Sequence, residues 1–215
     1  MKPSRTAPPA PSLASPRPGG ARAKLLDAAH VTVRRKGFAA TSVDELCAVA
    51  GVTKGAFFHH FASKEALGVA AAQGWTSRAA PMFADPPYTK LADPLDRYLG
   101  HIDLRASMLE GEPQDFTCFV GTVVQESFAT SEPLRAACDA SISAYCEALA
   151  VDIQHAIDTY GMQHGVTALG LAEHTQTVLQ GAFIMAKAKG DPQIARDSVA
   201  HLKRYVLMLI KRGES

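Results

Sequence analysis

The stretch Thr41 to Leu67, TSVDELCAVAGVTKGAFFHHFASKEAL, constrains the chain more than any other, because it sets two short helical signals around one glycine. Ser42 can cap a helix with its hydroxyl while Glu45, three residues on, reaches back to complete a capping box. Val43, Leu46, Val49 and Ala50 then recur at helical spacing, and Gly51 supplies the stop. Thr53 can cap a second helix, Lys54 to His60, too short to be stable without neighbours to pack on. Two such helices form a helix-turn-helix, and Ser63 caps a further helix that starts Lys64-Glu65. With nothing bulky at Gly55 or Ala56, the start of the second helix can approach a phosphate or a base edge, and Lys54 and His59 add charge and donors.

Charge is divided in the same sense. Residues 1–75 hold 10 Lys/Arg against 4 Asp/Glu, and the remainder 12 against 17, beneath a formal total of +1. A basic N-terminal third suits a polyanion such as DNA, and an acidic remainder is better suited to other work. Basic patches alone are often mere solvated faces; the helix-turn-helix shifts the reading. At 215 residues and 47% hydrophobic content, the chain can build one small domain and one of ordinary size. No run approaches the roughly 18 apolar residues of a membrane span, and the start lacks the apolar core of a signal peptide, so a cytoplasmic protein is expected. Cys47, Cys118, Cys138 and Cys146 show no CxxC pair and no zinc spacing; neither a disulfide scaffold nor a metal site nor a cofactor is expected. Cys47 falls on the apolar side of its helix, and Cys138 and Cys146 lie near one face of another, too far apart to pair.

Upstream, Ala21 to Lys36 places Leu25, Leu26, Ala29 and Val33 on one face, ends in Arg34-Arg35-Lys36 and stops at Gly37, with Phe38 expected to plug a three-helix core. This helix together with AGVTKGAFFHHFASKEAL resembles the DNA-binding domain of the TetR family of one-component bacterial repressors, over about Ala21 to Leu67. The resemblance implies that Arg22 touches the DNA backbone. One departure stands out: Phe58 occupies a position where the family usually has a tyrosine that often donates its hydroxyl to a phosphate. Thr41, Ser42, Thr53, His59 and Lys64 are expected to hold phosphates, while Lys54, the backbone at Gly55 and the ring of Phe57 are expected to meet bases.

The chain divides into three parts. Residues 1–20 carry six prolines and almost no large apolar residue, which reads as a disordered tail whose Lys2, Arg5 and Arg17 either add weak phosphate contacts or are inert. Residues 21–67 form the head, and the helix opened by Ser63 runs to about Ala80, where Pro81 and Pro86-Pro87 end it. Residues 81–215 form a body with helices expected over 91–109, 116–129, 132–160, 167–189 and 192–211, and no strand pattern. The expected class is therefore all-α: an N-terminal three-helix helix-turn-helix domain followed by a larger helical ligand-binding and dimerisation domain. The last two helices carry wide apolar stripes, Leu171, Val178, Leu179, Ala182, Phe183 and Ala186 on one and Val199, Leu202, Val206 and Leu209 on the other. A subunit core could absorb both. The resemblance implies instead that these two helices form a four-helix homodimer interface, with Gly181, Ala182 and Ala186 allowing close approach. A two-fold dimer would then read a near-palindromic operator.

In the family, the body encloses a pocket whose occupant weakens DNA binding. Residues 116–126, FTCFVGTVVQE, resemble more weakly the GC-hydrophobic-x-G-N segment of a TetR subgroup that includes sensors of reactive electrophiles and aldehydes, with Thr117 in place of its Gly and Thr122 in place of its Asn. Cys118 sits near the start of that helix, where amide dipoles favour a thiolate; the alternative is a small buried apolar residue. His101, His174, Gln125 and Glu126 are expected at the pocket mouth, Met108, Phe116, Phe119 and Phe183 in its wall, and Cys118 and Thr122 among the effector contacts. Each could equally be ordinary packing. The leading expectation is a dimeric repressor released by a small effector. An architectural DNA-binding protein fits the acidic body poorly. A thiol enzyme using Cys118 with His101 or His174 lacks an orienting third residue, so no catalytic residue is expected.

Overall fold

The head begins with α1, Ala21–Lys36, which closes on three basic residues and on Gly37 at φ +93°. In α2, Val43–Ala50, the Ser42 hydroxyl accepts from the Glu45 amide at 3.2 Å, and Gly51 turns the chain at φ +62°. Thr53 caps α3, Lys54–His60, by accepting from the Ala56 amide at 3.1 Å. These caps satisfy amides that no helical carbonyl can reach. The computed structural model describes residues 19–83, 86–162 and 165–210, with backbone alone for 79–83. Most of the proline-rich tail, with Lys2, Arg5 and Arg17, lies outside the described residues, as does Lys211.

Beyond the head, α4 spans Lys64–Phe83, running past Pro81. A proline near a helix end forfeits one hydrogen bond without breaking what precedes it; the break falls after Phe83, ahead of a 3-10 turn at Pro87–Lys90. Next, α5 spans Pro94–Ser107, shorter than 91–109 because Asp93 caps it and Pro94 fits only its first turn. The single helix expected over 116–129 is two: α6, Pro113–Phe116, and α7, Phe119–Ser127, parted by an extended Thr117 and Cys118. Glu112 and Asp115 form a capping box around Pro113, so the chain starts a helical turn early, stops, and starts again. The fold is completed by α8, Glu132–Tyr160, α9, Ala168–Lys189, and α10, Gln193–Leu209. Among the described residues the only extended pairing is one bridge, Met162 to Ile210, so the fold is all-α.

Two buried clusters organise the packing. In the body, Tyr98, Ile102, Ile153, Leu179, Val199 and Val206 gather α5, α8, α9 and α10. Eight of the nine residues expected at a subunit interface are buried here within one subunit: Leu171, Leu179, Ala182, Ala186, Val199, Leu202, Val206 and Leu209; Val178 packs at its edge. The stripes are wide because α9 and α10 must bury one face against α5 and α8, so those positions are corrected to core. The opposite face of the pair is open, with Ile184, Met185, Tyr205 and Met208 exposed.

In the head, Leu25, Val33, Leu46, Phe57 and Phe61 form the core, and the same cluster continues through Phe119, Val120 and Val123 of α7 into Leu134 and Cys138 of α8. Phe119 is fully buried, its ring edge-on to His30 of α1 at 4.9 Å and 5.8 Å from Trp75 of α4. Head and body thus share apolar packing through α7.

Candidate DNA-binding face and ligand cavity

The outer surface of α2 and α3 exposes Ser42, Val49, Thr53, Lys54, Gly55, Phe58, His59 and His60. Lys54 pairs with Asp44 at 2.8 Å, and this hydrogen bond raises the lysine pKa. Both partners are exposed, so the pair is weak and yields readily to a phosphate or base. Phe57 departs from its expected role: it is fully buried, stacking edge-on against Phe58 at 5.2 Å and near Phe61, and Phe58, 52% exposed, presents its ring outward instead. One side of a seven-residue helix must anchor it, and Phe57 is that anchor.

Lys64 is also spent elsewhere. Its ammonium donates to the carbonyls of Phe38, at 3.0 Å, and Thr41, at 3.0 Å, and lies over the Phe38 ring, closing the loop between α1 and α2. The Thr41 hydroxyl is buried and donates to the Gly37 carbonyl at 2.7 Å. Neither side chain is presented for phosphate. Arg22 is exposed at the start of α1 with its guanidinium 5.5 Å from the Phe61 ring centroid.

A cavity of about 320 Å³ lies between α4, α5, α7, α8 and α9. Trp75, Val120, Ile142, Tyr145 and Leu149 supply apolar wall, and His101, Arg105, Cys118, Asp152, Gln176 and Gln180 supply polar groups. His101 is buried between two tyrosines, Nδ1 3.1 Å from the Tyr88 hydroxyl and Nε2 2.7 Å from the Tyr145 hydroxyl. Burial, seconded by the Arg105 charge, pulls its pKa down to about 3, so the ring is neutral. A second recess of about 240 Å³ adjoins the first and shares Cys118 and Gln180 with it; Thr122, Gln125, Phe183 and Lys187 also line it. Hence His101, Cys118, Thr122, Gln125 and Phe183 are brought together around two adjoining spaces.

Four expected pocket residues are not. Phe116 is buried, 6.1 Å from Phe183, and Phe119 is in the shared core. Half-buried Met108 follows α5 and lines neither space, and His174 is exposed on α9, 5.1 Å from the Tyr205 ring. Nothing in the sequence singles out Trp75, Tyr88, Arg105 or Gln180 as cavity residues; the helical spacing of Gln176 and Gln180 is the one signal that α9 turns an amide row inward.

Two contacts tie these spaces to the head. Glu126, near the end of α7, accepts from the Ala39 amide at 2.6 Å and abuts Gly37, where a Cβ would stand 2.3 Å from its Oε1. Arg34 of α1 donates to the Asp115 carbonyl at 3.0 Å and lies over Trp75 at 5.6 Å; burial lowers its pKa. Cys118 is partly open, whereas Cys47, Cys138 and Cys146 are buried. Among the described residues no metal-binding cluster occurs and no helix is long and apolar enough to cross a membrane.

Sequence profiles place this geometry among known proteins. One described as "Bacterial regulatory proteins, tetR family" matches residues 25–71, and one described as "Tetracyclin repressor-like, C-terminal domain" matches 94–202. An uncharacterised HTH-type transcriptional regulator of Bacillus subtilis, YerO, is 58% identical over 33 residues, 15% of this chain and 11% of that protein. The Tn10 TetC protein of Escherichia coli is 46% identical over 43 residues, 20% of this chain and 22% of its own length, so the chain spans only a small part of these curated relatives. Among solved structures, reduced NemR of E. coli superposes with a TM-score of 0.72 at 22% identity, over 91% of this chain and 100% of the other. A TetR regulator from Chloroflexus aurantiacus gives 0.76 at 24% identity, over 88% and 96%.

Proposed function

The chain belongs to the TetR family of bacterial transcriptional regulators, and from that premise we propose that it is a dimeric, cytoplasmic repressor whose grip on a near-palindromic operator is loosened by a small effector in the cavity beside Cys118. One observation carries the reading: α7 belongs to both working parts. Its cap, Cys118, lies in the walls of cavity and recess; its Phe119 packs with His30 in the head cluster; its Glu126 holds the backbone at Ala39. An occupant that displaces α7 therefore acts on the head of its own subunit through packed contacts, and its effect is bounded by its differential affinity for the two arrangements.

DNA is met by α2 and α3. Lys54, the backbone at Gly55 and the Phe58 ring face the base edges, with Ser42, Thr53, His59 and Arg22 around them for phosphates. Two copies associate through the open face of α9 and α10, where His174, Gly181 and Ile184 share one helical stripe and Tyr205 and Met208 another; a Cβ at Gly181 would meet nothing within 4 Å, leaving room for a partner helix.

The test is operator binding of the purified protein to its own upstream DNA, with and without a quinone, on wild type and Cys118→Ser. Release of wild type alone identifies Cys118 as an electrophile sensor. If both proteins respond alike, or neither does, the thiol is structural and the search moves to reversible ligands.

A further inference from the structure

We propose that the recess between α7 and α9 is an anion subsite, taking the carboxylate of an organic acid whose apolar body fills the adjoining cavity. This rests on the reading of the cavity as an effector site and names the chemical class of its occupant.

The recess is furnished with donors that the protein leaves unused. The Thr117 hydroxyl is buried and has no hydrogen-bond partner, and Thr117 lines this space. Gln180 lines both spaces, and its Nε2 is likewise buried without a partner. Buried polar atoms are rarely orphaned, and two beside one recess point to a group that arrives from outside. The ammonium of Lys187 stands at the rim, held at 3.3 Å by the Thr122 hydroxyl. Beneath them begins α7, whose cap residue Cys118 contributes no side-chain hydrogen bond, so the positive end of this nine-residue helix is uncapped by any side chain.

Shape agrees with charge. The Gln180 amide lies directly against Gly121, where a Cβ would stand 2.2 Å from its Oε1, so a side chain there would push the amide aside. The one acid lining the recess, Glu126, is engaged with the Ala39 amide. Partial burial, then the nearby Arg34 charge, lower the Lys187 pKa against the opposing pull of Glu126, a cost that an arriving anion offsets. The Lys187 ammonium and the two unused donors favour the charge of a carboxylate over a cation or a neutral amide. The neighbouring wall of Trp75, Val120, Ile142, Tyr145 and Leu149 selects an apolar body. At about 320 and 240 Å³ the two spaces lie toward the small end of ligand sites, enough for a one-ring or medium-chain acid.

Calorimetry on the full-length protein without DNA tests this, with 4-phenylbutanoate and its neutral amide as probes. The acid is expected to bind at least about tenfold more tightly, the scale of a charge-assisted hydrogen bond. Lys187→Met should abolish that preference while preserving the amide's affinity, and Thr117→Val should reduce it. Neither substitution removes a core contact, and circular dichroism confirms the fold of each. No binding of the acid, equal binding of acid and amide, or a preference that survives both substitutions overturns the subsite. Operator affinity, read separately, isolates the regulatory claim: an acid that binds with the stated preference yet leaves DNA affinity unchanged upholds the subsite and refutes the effector reading.

Discussion

Replacing Phe119 with alanine tests whether head and body form one cooperative unit. The ring is fully buried, edge-on to His30 and close to Trp75, with α1, α4 and α7 all in contact with the cluster it centres. Truncating a buried phenylalanine removes its transfer free energy and leaves a cavity, together about 3–5 kcal/mol. Against a typical stability of about 5–15 kcal/mol, that is roughly a fifth or more of the total. Trp75, the only tryptophan, sits at this junction and reports on it by fluorescence, whereas circular dichroism reports on every helix. Urea titrations should give coincident wild-type transitions by both probes, and Phe119→Ala should shift both together by about 3–5 kcal/mol at fixed protomer concentration. A loss below about 1 kcal/mol, or a fluorescence transition that separates from the helical one in wild type, refutes the shared core.

Acid should destabilise the fold well above the carboxylate range. Burial pulls His30 down to about 4 and His101 to about 3, below an unfolded value near 6.5, so the unfolded chain binds more protons and the stability is complete above about 6.5 and lost as pH falls. Each contributes about 2 kcal/mol of loss by pH 5; a urea midpoint identical at pH 7.5 and 5.0 contradicts this. Met208 is 74% exposed on α10, so Met208→Glu should give folded monomers in analytical ultracentrifugation, and an unchanged dimer would place the interface elsewhere. Lys54→Ala should cost about 1–3 kcal/mol at the operator and relax its sequence preference in band shifts. Lys64→Ala should instead lower thermal stability, because the Phe38 and Thr41 carbonyls lose their donor; loss of general DNA affinity at unchanged stability would return Lys64 to the phosphate role.

What was legible in the sequence is local. Ser42, Thr53 and the glycines at 37, 51 and 190 act on neighbours a few residues away, and α1, α2, α3, α8 and α9 fall where caps and periodicity put them. Sequence is silent where a residue's role depends on a distant partner. A stripe such as Leu171 to Ala186 is apolar whether it faces its own subunit or another, and only the packing of α5 and α8 decides. Phe57 and Phe58 are adjacent and chemically alike, so the register of α3 on α1, invisible in composition, sorts anchor from exposed ring. The stop at Thr117 and Cys118 was hidden because the flanking residues are apolar enough to continue a helix. The cavity draws on five helices and a turn, and Trp75, Tyr88 and Gln180 meet only in three dimensions.

The central claim is that an occupant beside Cys118 reaches DNA through α7 and its hold on Ala39. Cys118 is the only cysteine not buried, so stoichiometric N-ethylmaleimide places one adduct there. Operator anisotropy before and after alkylation, on wild type and Glu126→Ala, reads the coupling as a ratio of affinities. Wild type should lose about 5–150-fold on alkylation, and the ratio should fall toward one in Glu126→Ala, which can no longer pull on the loop at Ala39. An unaltered wild-type affinity, or the same loss in both proteins, would contradict transmission through α7.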